Sequence, residues 1–359
     1  MQKVKFLDVF EDVTRQATKL QTKDYHAVGK YAIVDQGQDK IAGYTIKTEG
    51  IYNKTPIIIF GDHTRIFKYI DFPFFLGADG VKVLSLKRND FYLKYLYYCL
   101  LHENIPNTGY NRHFKWLKDI AFNLIPLTEQ KAIAEKLDKV SSLIEKRKQQ
   151  LSQLDLLVKS QFIEMFGDIV RNERGWRSER MERVAPAEPY RGQISSFGGK
   201  YWLLNLDMVE AQTGEIISKV MVDTAGIGNS TTTFGSENVL YSKLRPYLNK
   251  VVVPTESGYA TSELIPLKPN SEKLNKYYFA SALRSDAFVG YIQEQVAGAK
   301  MPRVSMGVFR SFLFPCPPIE LQERFARFVE QTDKSKFRVK QSLSVLELLK
   351  KSLMQKYFG

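Results

Sequence analysis

The chain has 359 residues, of which 44% are hydrophobic and 13% aromatic, and it carries a net charge of +13. That length has room for two or three domains with proper cores, and the charge favours a polyanionic partner, nucleic acid first. No stretch approaches the ~18 consecutive apolar residues of a membrane span, and the opening MQKVKFLDVFEDV lacks a signal-peptide core, so a cytoplasmic protein is expected.

In chain order, Lys54–Phe60 (KTPIIIF) and Val81–Leu86 (VKVLSL) read as strands and Phe91–His102 (FYLKYLYYCLLH) as a short helix. A loop containing Gly109 and Arg112 then leads to a long helical pattern, with apolar residues at Ile133, Leu137, Val140, Ile144, Leu151, Leu154, Val158, Phe162 and Met165. Their spacing of three or four is an a/d seam, interrupted once at Arg147. After Gly167 the order recurs. Val239–Tyr241, Lys250–Val253 and Leu264–Leu267 read as strands and Asn275–Leu283 as a helix. A second long pattern follows, through Phe325, Val329, Thr332, Lys336, Val339, Leu343, Leu346, Lys350, Leu353 and Tyr357.

The two long patterns are copies. Ile120–Gly167 aligns with Phe312–Gly359 at a constant shift of 192 without a gap, and 15 of the 48 aligned positions are identical. Among them are Pro126/Pro318, Gln130/Gln322, Ala134/Ala326, Lys148/Lys340, Leu156/Leu348, Leu157/Leu349 and Phe166/Phe358. A repeat this far apart predicts two pseudo-symmetric halves, not a solenoid. Pro126 and Pro318 suit a helix start, Glu129 and Glu320 suit the first-turn dipole, and Gly167 suits the position after the last turn. About 39 residues at ~1.5 Å each make a rod of ~58 Å, and a rod with one apolar seam needs a partner. The predicted fold class is therefore α+β, with two mixed globular domains alternating with two long helices. Those helices pair as an antiparallel coiled coil with pseudo-twofold symmetry.

Catalytic signatures do not appear. There is no G-x-x-x-x-G-K-[ST] loop, no G-x-G-x-x-G after a strand, no H-E-x-x-H and no G-x-S-x-G. His26, His63, His102 and His113 form no metal-like pair, and Cys99 and Cys316 read as two buried thiols, not as a zinc site or a disulfide. A non-catalytic binding protein is expected.

The repeated stretches Leu124–Gly167 and Phe314–Gly359, each opening on Pro-x-x-x-Gln, resemble the DNA-specificity subunit of type I restriction–modification systems. Ser242–Lys250 (SKLRPYLNK), Thr261–Pro266 (TSELIP) and Ala297–Arg303 (AGAKMPR) look like its second target-recognition domain. The resemblance implies a target-recognition domain over 1–125, a spacer helix over 126–167, a second target-recognition domain over 168–317 and a second spacer helix over 318–359. It further implies that the two domains read the halves of a bipartite, asymmetric site in double-stranded DNA. Two methyltransferase subunits would dock for adenine methylation, joined in some complexes by restriction subunits. S-adenosylmethionine, ATP and Mg²⁺ would belong to those partners, with no cofactor in this chain.

Basic residues in loops or at strand ends, close to aromatics, are the candidate DNA contacts. In the first domain these are Arg65, Lys68, Arg112 and Lys115; in the second, Arg191, Lys200, Lys243, Arg245, Lys250, Lys300 and Arg303. Two competing readings stay open at this point. One is a coiled-coil interaction scaffold that does not read DNA sequence, and the other is a nucleic-acid enzyme with a dispersed site.

Overall fold

The computed structural model describes residues 2–77, 80–296 and 302–359. The chain divides into two compact units, residues 1–147 with 342–359, and residues 148–341. The long helices run Leu127–Phe166 and Ile319–Phe358, 40 residues each. Each unit therefore holds a globular part and a segment of both helices.

In the first unit the opening strand Gln2–Lys5 pairs antiparallel with Ala121–Leu124, the strand that leads into the first long helix. Between them lies an antiparallel four-stranded sheet in the order Phe10–Asp12, Val81–Leu86, Ile57–Gly61, Phe67–Ile70. A second sheet runs Gly43–Thr45, Tyr31–Val34, Phe74–Leu76. The apolar run at Ile57–Phe60 is continuous because both faces of its strand are covered. Ile58 and Phe60 share a core with Leu93, Tyr95 and Leu96 of the helix Leu93–His102, while Ile57 and Ile59 pack with Val34, Phe74 and Leu76. Ile133, Ala134 and Leu137 of the first long helix join the former core, as does Met354 of the second.

The second unit repeats this plan. Ser178–Arg180 pairs antiparallel with Leu313–Pro315, the strand before the second long helix. The central strand Val239–Ser242 lies between Val251–Val252 and Leu264–Leu267. Val239 and Tyr241 face the helix Lys276–Arg284, whereas Leu240 packs with Trp202, Leu204, Phe234 and Ala260 of a five-stranded sheet. That sheet carries Ser196–Phe197, Lys200–Leu204, Gly258–Thr261 and Thr231–Phe234 in order, with Val220–Val222 beside Lys200–Leu204. Phe162, Phe166, Phe325 and Val329 of the long helices close the core against Tyr278.

Within each unit the long helices pair antiparallel. In the second, Phe162 meets Phe325 with ring centroids 5.5 Å apart, and Lys336 forms an ion pair with Asp155. In the first, Arg147 Nε donates to Ser342 Oγ at 3.3 Å, and Ile133 shares its core with Met354. Gly167 ends the first helix at φ 73°, with its N–H on the Ile163 carbonyl at 2.9 Å. Trp176 Nε1 and Arg174 Nη2 then donate to the carbonyls of Phe166 and Glu164, which have no partner within the helix.

The repeated glutamines act as clasps. Gln130 is fully buried; its Nε2 donates to the carbonyls of Asp90 (2.9 Å) and Ile125 (2.8 Å), and its Oε1 accepts from the Tyr92 N–H at 2.8 Å. Gln322, equally buried, donates to Lys273 (2.9 Å) and Pro317 (2.7 Å) and accepts from the Asn275 N–H at 2.9 Å. Each clasp ties the first turn of a long helix to the residues just before the short helix of its domain. The side-chain amide, with two donors and one acceptor, satisfies three backbone groups that would otherwise be buried unpaired. Cys99 is buried, Cys316 half-buried, and both are free thiols.

Candidate nucleic-acid interface

The turn that follows the central strand is held in the same way in both units. In the first, the Asp62 N–H donates to the Gly80 carbonyl at 2.6 Å and the Asp62 carbonyl accepts from the His113 N–H at 2.9 Å. Asp62 Oδ1 also accepts from the Phe114 N–H at 2.7 Å. In the second, the Lys243 N–H donates to the Glu263 carbonyl at 3.0 Å and its carbonyl accepts from the Val304 N–H at 2.9 Å. The turn is thus gripped on one side by the residue entering the next strand of its sheet, and on the other by the segment before the last short helix. Both turns carry an arginine in the left-handed region, Arg65 at φ 63° and Arg245 at φ 49°. A β-carbon makes that conformation unfavourable, so the surrounding bonds must impose it. Arg65 N–H reaches the Gly61 carbonyl at 2.7 Å, and Arg245 N–H reaches Pro302 at 2.8 Å.

Around the first turn the structure gathers Arg65, His63, Tyr110, Asn111 and the exposed Arg112. Arg65 Nη1 donates to the Ile105 carbonyl at 3.2 Å, which uses one of the five donors of its fork. The His63 ring stacks on Tyr110 at 4.6 Å and 7°, and Tyr110 is 87% exposed. Lys115 is exposed in the short helix that follows, with its ammonium 5.1 Å above the Trp116 ring. Around the second turn lie Lys243, Arg245 and Arg303. Leu244 bridges to Arg303, whose guanidinium pairs with Glu263 at 3.1 Å.

Four of the expected contacts lie elsewhere. Lys68 is buried, with its ammonium on the Asp39 carbonyl and 3.6 Å from Asp35. Burial pulls its pKa below the usual lysine range against the opposing pull of Asp35, so this lysine serves the interior and not a phosphate. Lys250 is half-buried and donates to the Leu206 carbonyl at 2.6 Å, which makes it a loop anchor. Lys200 is exposed, but its strand runs parallel to Gly258–Thr261 with Leu204 beside Ala260. That places Lys200 at the end of the sheet away from Glu263 and the gripped turn. Arg191 is exposed beside Tyr190, whose N–H bonds to the Thr233 carbonyl, and it is not among the residues around the turn. Lys300 lies outside the described residues.

Sequence reasoning missed His63, Tyr110 and Asn111. The signal was available, because an aromatic between Gly109 and Asn111 has no core to enter and a turn histidine beside it has a ring to stack on. Among the described residues no group of three or more His, Cys, Asp or Glu could hold a metal ion, and no helix is long and apolar enough to cross a membrane.

Residues 1–155 match the family model described as Type I restriction modification DNA specificity domain. The chain is 23% identical over 279 residues to the type I restriction enzyme EcoDI specificity subunit of Escherichia coli, covering 67% of this chain and 62% of that protein. It is 34% identical over 123 residues to the EcoR124I/EcoR124II specificity subunit of the same organism, covering 33% and 30% respectively. These alignments span less than two thirds of either relative. Among solved structures, the S subunit of a type I restriction–modification system from M. genitalium superposes with a TM-score of 0.62 at 17% identity, covering 100% of this chain and 96% of that one. That likeness establishes the fold. The chain is accordingly similar in sequence and fold to DNA-specificity subunits of type I restriction–modification systems, with the match to their specificity domain lying in residues 1–155.

Proposed function

We propose that this chain is the non-catalytic, DNA-reading subunit of a type I restriction–modification complex, and that its two domains read different halves of a bipartite, asymmetric site. The observation that carries this reading is the pair of gripped turns. One scaffold presents two unlike sets of groups, Arg65, His63, Tyr110 and Arg112 in one unit, and Lys243, Arg245 and Arg303 in the other. A shared scaffold with different surface chemistry is what two readers of different half-sites require.

Docking of two methyltransferase subunits is supported by the repeat itself. Between 148 and 160 the two copies share nine residues, and seven of these (Lys148, Gln149, Ser152, Leu156, Leu157, Lys159 and Ser160) are exposed, as are their counterparts. Leu156 and Leu348 are 62% and 69% exposed. Several buried positions of the helices meanwhile differ, with Ile133 against Phe325, Val140 against Thr332 and Phe162 against Met354. Buried identities such as Gln130/Gln322 follow from packing and backbone pairing, whereas identity at exposed positions has no interior to satisfy and points to one contact made twice, with two copies of the same partner. S-adenosylmethionine, ATP and Mg²⁺ would act in those partners.

The test is salt-dependent binding of the full chain, reconstituted with its methyltransferase, to a randomised duplex pool. Selection of two separated specific segments, with affinity falling steeply as salt rises, is expected. Binding that is indifferent to both sequence and salt would instead favour an interaction scaffold.

A further inference from the structure

The two gripped turns differ in hydrogen-bonding sign. Lys243, Arg245 and Arg303 offer donors only. His63 offers something else. Its Nδ1 lies 3.2 Å from the Asn111 carbonyl. A carbonyl can only accept, so Nδ1 carries the hydrogen, and in the tautomer protonated at Nδ1 alone Nε2 keeps its lone pair. Among the described residues no hydrogen bond reaches Nε2. The plane of the ring is set by the Tyr110 stack at 4.6 Å, and its Cδ2 edge lies where Gly80 leaves room. A β-carbon at position 80 would sit 2.5 Å from Cδ2. The His63 backbone is held as well, its N–H donating to Gln36 Oε1 at 3.3 Å. The imidazole is therefore pre-oriented on three sides, with one acceptor left over.

We propose that His63 is a specificity-determining residue that recognises an exocyclic amine on a base edge, adenine N6 or cytosine N4, through its Nε2 lone pair. The inference rests on the DNA-reading function above and adds which chemical group one domain selects. In the major groove those amines are the donors that an acceptor can read, whereas guanine and thymine present acceptors there. The first turn then reads one base by accepting, while the basic residues of the second turn, Lys243, Arg245 and Arg303, read by donating.

The experiment is site selection by the full chain reconstituted with its methyltransferase. One position of one half-site should be restricted to A or C on one strand. His63→Arg replaces the acceptor with donors and should move that position towards G, with about a ten-fold loss on the original base and no change in the other half-site. His63→Gln, which keeps an acceptor, should retain A. As a check that involves no protein variant, replacing adenine at that position by purine, which lacks the amine, should cost the wild-type complex a similar factor. Unchanged base preference in His63→Arg, or equal tightening on every sequence, would overturn the proposal, as would an unaffected purine duplex. A wild-type complex with no base preference anywhere would overturn the DNA-reading function itself. Intact selection of both half-sites with an indifferent His63→Arg overturns only the role of His63.

Discussion

Gln130 in the first unit and Gln322 in the second make the same three hydrogen bonds to equivalent backbone groups, all between 2.7 and 2.9 Å. The turns that the two units display share only their backbone grip. Asp62, His63 and Arg65 stand where the other unit has Lys243 and Arg245. The contrast teaches where duplication was held fixed and where it was free to diverge. Groups that attach a helix to its domain recur because a buried backbone donor or acceptor must always be paired. Side chains facing solvent at the turn answer only to what they bind.

The largest expected effect tests the packing side of this contrast. Phe166 and Phe358 are identical in the repeat, but Phe166 is fully buried against Phe162, Tyr278 and Phe325, whereas Phe358 is half-buried beside Tyr95. Phe166→Ala should cost about 3–5 kcal/mol and Phe358→Ala clearly less, as read by denaturant unfolding. Equal costs would mean that the two helix ends are held alike. Next, Gln130→Leu and Gln322→Leu should each cost about 2–4 kcal/mol, since each leaves three buried backbone groups unpaired. Hydrogen exchange at the Tyr92 and Asn275 amides should accelerate in the matching variant only. Very different costs would show that the clasps are not equivalent. On the variable side, Arg245→Ala should lose about 1–3 kcal/mol of specific DNA binding, whereas Lys115→Ala should lower the salt slope by about one without altering base preference.

The smallest effect concerns acid stability in the first unit. Burial works to raise the pKa of Asp12, but hydrogen bonds from Lys82 (2.7 Å) and Thr14 outweigh it and hold the carboxyl below the ordinary aspartate value. A lowered folded-state value contributes stability that is complete above the unfolded value of ~3.9 and is lost as pH falls through the folded one. Asp12→Asn should therefore cost up to about 1 kcal/mol at pH 7 and almost nothing at about pH 2, as read from unfolding curves at the two pH values.

Much of the frame was legible in the sequence. The helix pair was readable from the 192-residue repeat and its heptads, and the central strands from apolar runs such as Ile57–Phe60. The strands at Tyr31–Val34, Phe74–Leu76 and Lys200–Leu204 were not, because short segments of mixed composition become strands only when a neighbour supplies the ladder. The candidate contacts divided along physical lines. Arg65, Arg112, Lys243, Arg245 and Arg303 are gathered at the gripped turns, where left-handed backbone and loop bridges present them. Lys68 was misjudged because its strand alternates inward at that position, and Asp35 and Asp39, which neutralise it, are far away in sequence. His63 and Tyr110 escaped notice because 47 residues separate two rings that the Asn111 carbonyl brings together.

The central claim is that two like scaffolds read unlike half-sites, and the measurement that meets it most directly is site selection with one turn altered at a time. Arg65→Ala in the reconstituted complex should relax bases in one segment of the selected site, and Arg245→Ala bases in the other, with neither crossing over. A single variant that altered both segments, or two variants that altered the same one, would contradict the assignment of one reader to each half.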